Sequence, residues 1–379
     1  MVGRRGVSAV YRKVFLVLMV SAHKTAEVLL LTGAGFTKSF GGYLSSEMWA
    51  AIFNQPEIKK YPGLRKALLS DPNLDYESVY DKVLSQSETA PRYTDDEKHA
   101  FSRAVFNTYA AMHEEICGPS SPGATQGEIA WKSFFARFGG TTGVRGFFFT
   151  LNHDLFVEEY FKLTTVSRRS IRDAVQLSIP GTIASSWYNG RLYKDILNGR
   201  KMTLPTADKV QGYRDQFDKP RSDNFVYVKL HGSYGWVFQT ENDVMIIGHA
   251  KSELLKREPL LCWYLSLFEK VINEPDRRLV VIGYGFRDAH INELLWQAVH
   301  RGLRLYVVSP KEAMEFKEVL DALKQKVTIK GRQSYTSGEI LWSGLDGYCK
   351  GQVTDFYDVK QSDLTPKGNA FLGGLGLYP

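Results

Sequence analysis

Four short segments carry the residues best suited to chemistry: Leu29-Leu30-Leu31-Thr32-Gly33-Ala34-Gly35-Phe36-Thr37, Thr150-Leu151-Asn152-His153-Asp154, Lys229-Leu230-His231-Gly232-Ser233 and Val280-Val281-Ile282-Gly283-Tyr284-Gly285-Phe286. Each runs from an apolar strand into a small or polar turn, and together they could close around one nucleotide. In the first, a Gly-Ala-Gly turn lets backbone approach a pyrophosphate with no side chain in the way. A dinucleotide GxGxxG fingerprint would need glycine where this chain has Lys38, and a phosphate-binding P-loop would need glycine where it has Thr37. An ordinary dehydrogenase and a Walker-type ATPase are both disfavoured.

Each polar residue also has a structural role open to it. An Asn-x-Asp after a strand caps helices, because both side chains accept hydrogen bonds from free backbone N–H groups, and Asp288 is placed to cap the helix that follows it. His290 and Asn292 divide between facing a ribose and bonding across the sheet end. Trp263, Tyr264 and Phe268 lie at helical spacing among leucines and read as core.

The elements that must position these residues follow from periodicity. Strands are expected at 27–31, 146–151, 225–230, 278–282 and 303–308, with a short one at 327–330; Phe147, Phe148 and Phe149 in succession suit a strand buried on both faces. Helices are expected at 45–53, from 154 or 155 onward, and at 253–273, 288–300 and 311–326, with further helical patterns within 55–139. The polar, glycine-containing stretch 163–222 reads as an insertion beside a cleft. This βαβ alternation predicts an α/β fold with a parallel, doubly wound sheet whose ligand lies at the carboxyl ends of its strands. All four segments fall there. The expected division is a basic tail at 1–24, one nucleotide-binding domain at 25–358 with additions at about 55–139 and 163–222, and an aperiodic tail at 359–379 that is either disordered or docked on a neighbour.

Composition narrows the class. With 379 residues, 44% apolar and 23% charged, the chain has the balance of a soluble protein. Arg4, Arg5, Arg12, Lys13 and Lys24 account for five of its seven net positive charges, so the basic character reads as a solvated tail and direct nucleic-acid binding is disfavoured. Val14 to Val20 is too short to span a bilayer, so direct membrane binding is not expected; the amino terminus reads as extended, with Met19 a second candidate start. Cys117, Cys262 and Cys349 form no CxxC pair, which suggests neither a zinc ribbon nor a disulfide framework and fits a reducing, cytoplasmic setting.

Gly33-Ala34-Gly35-Phe36-Thr37, Thr150-Leu151-Asn152-His153-Asp154 and His231-Gly232 resemble the sirtuin signatures: a GAG-x-Ser/Thr loop, a Thr-Gln-Asn-Ile-Asp strand end and a catalytic His-Gly. The resemblance is closer to the bacterial SIR2-like subfamily of antiphage defence systems. There the late strand reads Gly-Tyr-x-Phe-x-Asp-x-His-Ile-Asn, matched by Gly283, Tyr284, Phe286, Asp288, His290, Ile291 and Asn292, and Leu74-Asp75-Tyr76-Glu77-Ser78-Val79 is similar to that subfamily as well. It covers about residues 27–310 by motifs and their order. Two departures stand out: the four-cysteine zinc module of sirtuin deacylases has no counterpart, and the GAG loop continues as Ser39-Phe40-Gly41-Gly42-Tyr43-Leu44. Both speak against recognition of acyl-lysine peptides.

The resemblance implies a Rossmann-like parallel sheet flanked by helices, with a helical insertion and no zinc ribbon. It implies NAD+ as substrate, no zinc or other metal, and hydrolysis that releases nicotinamide and ADP-ribose. Asp154 would then hold the carboxamide, Asn152 would orient the ribose or an attacking water, and His231 would act as general base. Gly33, Ala34, Gly35, Phe36, Thr37, Gly283, Tyr284, Gly285, Asp288 and Ser309 would contact the dinucleotide. It further implies an antiphage effector that depletes NAD+, a homo-oligomer, and a partner such as a HerA-type ATPase, with a short prokaryotic Argonaute as the second partner class. The competing readings are a zinc-free deacylase or ADP-ribosyltransferase, and a non-catalytic NAD or ADP-ribose binding subunit.

Overall fold

The computed structural model describes residues 24–84, 93–117, 134–140, 143–161, 177–181, 202–217, 224–237, 258–329, 333–358 and 363–377, with a few isolated positions between them. The basic segment at 1–23 and most of the 163–222 stretch lie outside the described residues.

Among the described residues, seven strands follow one another in a parallel sheet: β1 Val28–Thr32, β2 Val144–Thr150, β3 Leu177–Ser178, β4 Phe225–Lys229, β5 Arg278–Ile282, β6 Arg304–Ser309 and β7 Leu345–Lys350; an eighth, the short Lys24–Thr25, pairs parallel with the start of β2. Their order is β7-β6-β5-β1-β2-β4-β3. From β1 the chain adds β2, passes to the edge strand β3 and comes back to place β4 between them, then returns to the other side of β1 for β5, β6 and β7. The topological switch therefore lies between β1 and β5, and such a switch opens a crevice at the carboxyl ends. Register aligns those ends: Lys229 pairs with Thr150, Thr150 with Thr32, Thr32 with Ile282, and Ile282 with Val308. Every motif begins one or two residues past this common line.

The central strands are apolar on both sides because both faces are covered. Leu29, Leu31, Phe147, Phe149, Val226, Val228, Leu279 and Val281 pack against helices α9 Pro259–Ile272 and α10 Ala289–His300. Val28, Leu30, Phe148, Phe225, Tyr227 and Val280 meet Phe36, Phe135, Phe156 and the carboxyl-terminal segment. Trp263, Tyr264 and Phe268 are core on the first face, as their spacing implies. A third apolar cluster joins α2 Ser45–Phe53, α4 Pro62–Leu69, α5 Tyr76–Leu84 and α6 Asp95–Cys117 through Met48, Ile52, Leu64, Leu68, Val79, Val83, Phe101 and Val105. These residues recur every three or four positions, which gives each helix one buried stripe. Leu155 and Tyr234, from two of the motif turns, belong to the same cluster and attach this helical layer to the edge where the motifs converge.

Three expectations need correction. The stretch around 327–330 pairs antiparallel with Gln333–Thr336 in a small hairpin, and the strand that extends the sheet is β7. β7 escapes a periodicity reading because it is half exposed and carries Asp346, Gly347 and Lys350. The helix expected at 311–326 is shorter, α11 Ala313–Asp321. The 359–379 segment is not aperiodic throughout: Thr365 caps α13 Pro366–Gly374, accepting a hydrogen bond from Gly368 N–H. Its Phe371 ring stacks on Phe356 at 4.8 Å, and Leu372 and Leu375 enter the second core.

Candidate functional site

The Gly33 turn is shaped first by its neighbour strand. Gly33 N–H donates to Ile282 O at 3.0 Å and Gly35 N–H to Gly283 O at 2.9 Å. A Cβ on Gly33 would lie 2.8 Å from Gly283 O, and one on Gly283 would lie 2.2 Å from Phe36 N. Gly283 also has φ +67, a conformation that side chains other than glycine resist. Gly33, Gly35 and Gly283 are thus required by two backbones packed against each other at the switch point, independently of any phosphate.

Beside this contact, a chain of buried hydrogen bonds links the first two motifs. Asn152 Nδ2 donates to Thr37 Oγ1 at 2.6 Å, and that hydroxyl donates to Asp154 Oδ2 at 2.9 Å. Asp154 Oδ1 accepts from Phe156 N–H at 3.0 Å, so the carboxylate does cap the chain entering α7 Phe156–Phe161. The Asn152 backbone is fixed as well: its N–H donates to Thr150 Oγ1 at 3.1 Å, which also accepts from Thr32 Oγ1 at 2.9 Å. Asn152, Asp154 and Thr37 are all buried.

Below this group lies an ion pair that spacing alone does not reveal. Lys229 Nζ stands 2.8 Å from Glu158 Oε1, with both side chains shielded from solvent, and Lys229 also donates to Asp154 O. Tyr227 OH donates to Glu158 Oε2 at 3.2 Å. Burial pushes the Glu158 carboxyl upward while the Lys229 ammonium opposes that shift. A buried charge pair of this kind depends on both partners, since removal of either leaves an uncompensated charge. His113, on α6, is held down to about 3, first by burial and then by the Lys229 charge, and so is neutral at physiological pH.

His231 enters from the turn after β4. Gly232 has φ +75, which lets the chain fold back, while Ser233 Oγ and Tyr234 N–H both donate to His153 O, at 3.0 and 3.1 Å. These bonds hold the two turns side by side, with the His153 and His231 rings 6.2 Å apart. His231 is only 2% exposed, and its Nε2 lies 3.0 Å from His290 Nε2. One of these nitrogens donates and the other accepts. Asp288 joins them: one oxygen of its carboxylate and the two imidazole nitrogens lie within 4.8 Å of one another.

The remaining sequence candidates separate by role. Phe36 turns its ring into an aromatic cluster with Phe40, Phe135, Phe148 and Phe156, so its side chain is core. Tyr284 OH donates to Asn292 Oδ1 at 2.9 Å and accepts from Asp288 N–H at 3.2 Å, while Asn292 Nδ2 donates to Phe286 O at 2.8 Å. Tyr284 and Asn292 are therefore struts of the Gly283–Asn292 loop. Asp288 occupies the position before α10, yet its side chain makes no capping bond. Ala34 and Gly285 are exposed, and Ser309 Oγ accepts from Lys311 N–H at 3.3 Å at the end of β6. The structure brings Thr37, Asn152, Asp154, His231, His290 and Asp288 to one edge, and Ser309 stands two strands from β1. His290, Thr37 as a relay, Lys229 and Glu158 gain their roles only here; a lysine closing the otherwise apolar strand Phe225–Lys229 just before His231 was the available signal for Lys229, whereas Glu158 lies within α7 and offered none.

The fold and this polar cluster define an open α/β protein of the doubly wound class, with its site at the carboxyl ends of the central strands. Within it, residues 146–329 match the family model of the SIR2-like domain. The matched segment contains Asn152, Asp154, His231, Asp288 and His290, while the Gly33 turn lies before it. A solved structure described under "Structural Basis for the Mechanism and Regulation of Sir2 Enzymes" aligns at 12% identity over 88% of this chain and 94% of its own, with a TM-score of 0.30. No curated protein matches the chain.

Proposed function

We propose that this chain is an NAD+ glycohydrolase, releasing nicotinamide and ADP-ribose at the edge formed by Thr37, Asn152, Asp154 and His231. The observation that carries the reading is the convergence of a buried carboxamide relay and a buried imidazole past the carboxyl ends of adjacent strands. Nicotinamide leaves NAD+ as a neutral molecule, so the bond breaks without an acid. The barrier lies in the positive charge that develops on the ribose, and fixed dipoles and positioning lower it. Asn152, held through Thr37 and Thr150, orients the ribose or the attacking water. His231 accepts the proton of that water or of a ribose hydroxyl, a role suited to an imidazole near neutral pH. Asp154 anchors the relay through one bond from Thr37 and one from Phe156 N–H, and each oxygen keeps a further lone pair with which to hold the carboxamide.

In the same reading the activity is a defence effector that depletes cellular NAD+ once a partner signals infection. A HerA-type ATPase is the leading partner, a short prokaryotic Argonaute the second, and self-assembly of this chain the setting.

Nicotinamide release by the purified chain, with and without its partner, tests the chemistry. Asn152→Ala and His231→Ala are each expected to lower the rate by about 100-fold or more while the melting transition persists. Undiminished turnover in either variant would remove the mechanism. Free ADP-ribose as product supports hydrolysis; ADP-ribose found on an acceptor would favour a transferase.

A further inference from the structure

We propose that His231, His290 and Asp288 form a binding site for a divalent transition metal of the zinc type, and that its occupation arrests the hydrolysis proposed above; only this second half rests on that reading. The three side chains come from separate places in the sheet. His231 follows β4, and Asp288 and His290 follow β5, yet β1 and β2 lie between those strands. Three inter-strand steps amount to roughly 14 Å. The two turns therefore reach over the ends of β1 and β2 to bring the imidazoles together.

Both turns are braced from behind. On one side, Ser233 and Tyr234 bond His153 O; on the other, Tyr284 and Asn292 lock the loop that carries Asp288 and His290. Ligands held by such outer bonds bind metal with less reorganisation.

The geometry is close to what a metal requires. Around a tetrahedral ion with bonds of about 2.1 Å, neighbouring ligand atoms stand about 3.4 Å apart. The two Nε2 atoms, at 3.0 Å, need to part by a few tenths of an ångström, and the half-buried Asp288 carboxylate reaches its place by side-chain rotation from within 4.8 Å. Binding replaces the proton between the rings: each imidazole carries its hydrogen on Nδ1 and turns the Nε2 lone pair to the metal, so no net proton is gained or lost. Two imidazoles with one carboxylate select zinc, cobalt, nickel or copper over magnesium or calcium, which prefer oxygen ligands. The expectation of a metal-free protein rested on absent cysteine pairs, and this site uses none. Its functional consequence is direct, because the lone pair given to the metal is the one with which His231 accepts a proton.

Zinc titration of the chelator-treated full chain, followed by calorimetry, measures the site. One equivalent should bind, magnesium should not compete, and His290→Ala and Asp288→Asn should each weaken binding about tenfold or more. Cobalt in place of zinc should give the visible spectrum of a low-coordinate site in the wild-type chain, a readout that does not depend on any variant folding. Absence of a stoichiometric site, or zinc binding unchanged in a folded His290→Ala protein, overturns the proposal. Nicotinamide release should fall in step with zinc occupancy; turnover that persists at full occupancy overturns the inhibitory half. Zinc binding in a protein with no NAD+ turnover under any condition retires the hydrolase reading and leaves the metal site standing.

Discussion

A single hydroxyl holds the proposed reaction centre together. Thr37 accepts from Asn152 and donates to Asp154 in a buried setting, so it sets the angle of the Asn152 carboxamide without touching a reacting atom. Thr37→Val keeps the shape and removes both bonds. It should slow nicotinamide release about 10- to 100-fold through misplacement of Asn152, and destabilise the fold by about 1–3 kcal/mol by leaving buried polar groups unpaired. Thr37→Ser retains the hydroxyl and should restore most of the rate; a Val variant as fast as wild type would show that the relay is idle. The sequence pattern of the Gly33 turn offers a hydroxyl residue at this point, but a pattern cannot say that it bridges two others.

At the scale of elements, the contact between the β1 and β5 turns decides whether the switch-point edge exists at all. Gly283→Ala would place a Cβ 2.2 Å from Phe36 N in a backbone at φ +67. Gly302, at φ +109, has no atom within 4 Å of its would-be Cβ and isolates the conformational part of the penalty. Denaturant unfolding should show a loss of about 1–2 kcal/mol for Gly302→Ala and about 4 kcal/mol or more for Gly283→Ala. Equal losses would mean that the close approach of the two turns carries little energy. The glycines in these turns were legible as glycines with a purpose; that their first purpose is to admit the neighbouring strand's backbone required the strand order.

For the whole molecule, the carboxyl-terminal segment closes the second face of the sheet. Leu372 and Leu375, 2% and 1% exposed, pack there, Phe371 stacks on Phe356, and Arg278 Nη1 donates to Leu375 O at 2.8 Å. Deleting residues 363–379 should cost about 3 kcal/mol or more, the worth of two fully buried leucines, and should lower the melting temperature markedly. An unchanged melting curve would mean that the docked helix is dispensable. This helix was hidden in the sequence because three glycines break its apolar stripe.

The five central strands of the sheet, their parallel order with helices between, and the placing of Asn152, Asp154, His231 and the two glycine turns at strand ends were determined by the sequence alone. Continuous apolar runs, helical periodicity and turn chemistry are local properties, and local properties survive in one dimension. Only the tertiary structure decided which polar side chains meet. Thr37 stands between Asn152 and Asp154, Lys229 neutralises Glu158 beneath them, and His231 reaches His290 across two intervening strands. Those contacts depend on the register of neighbouring strands and on how far each turn reaches over the sheet edge, quantities that no residue carries by itself.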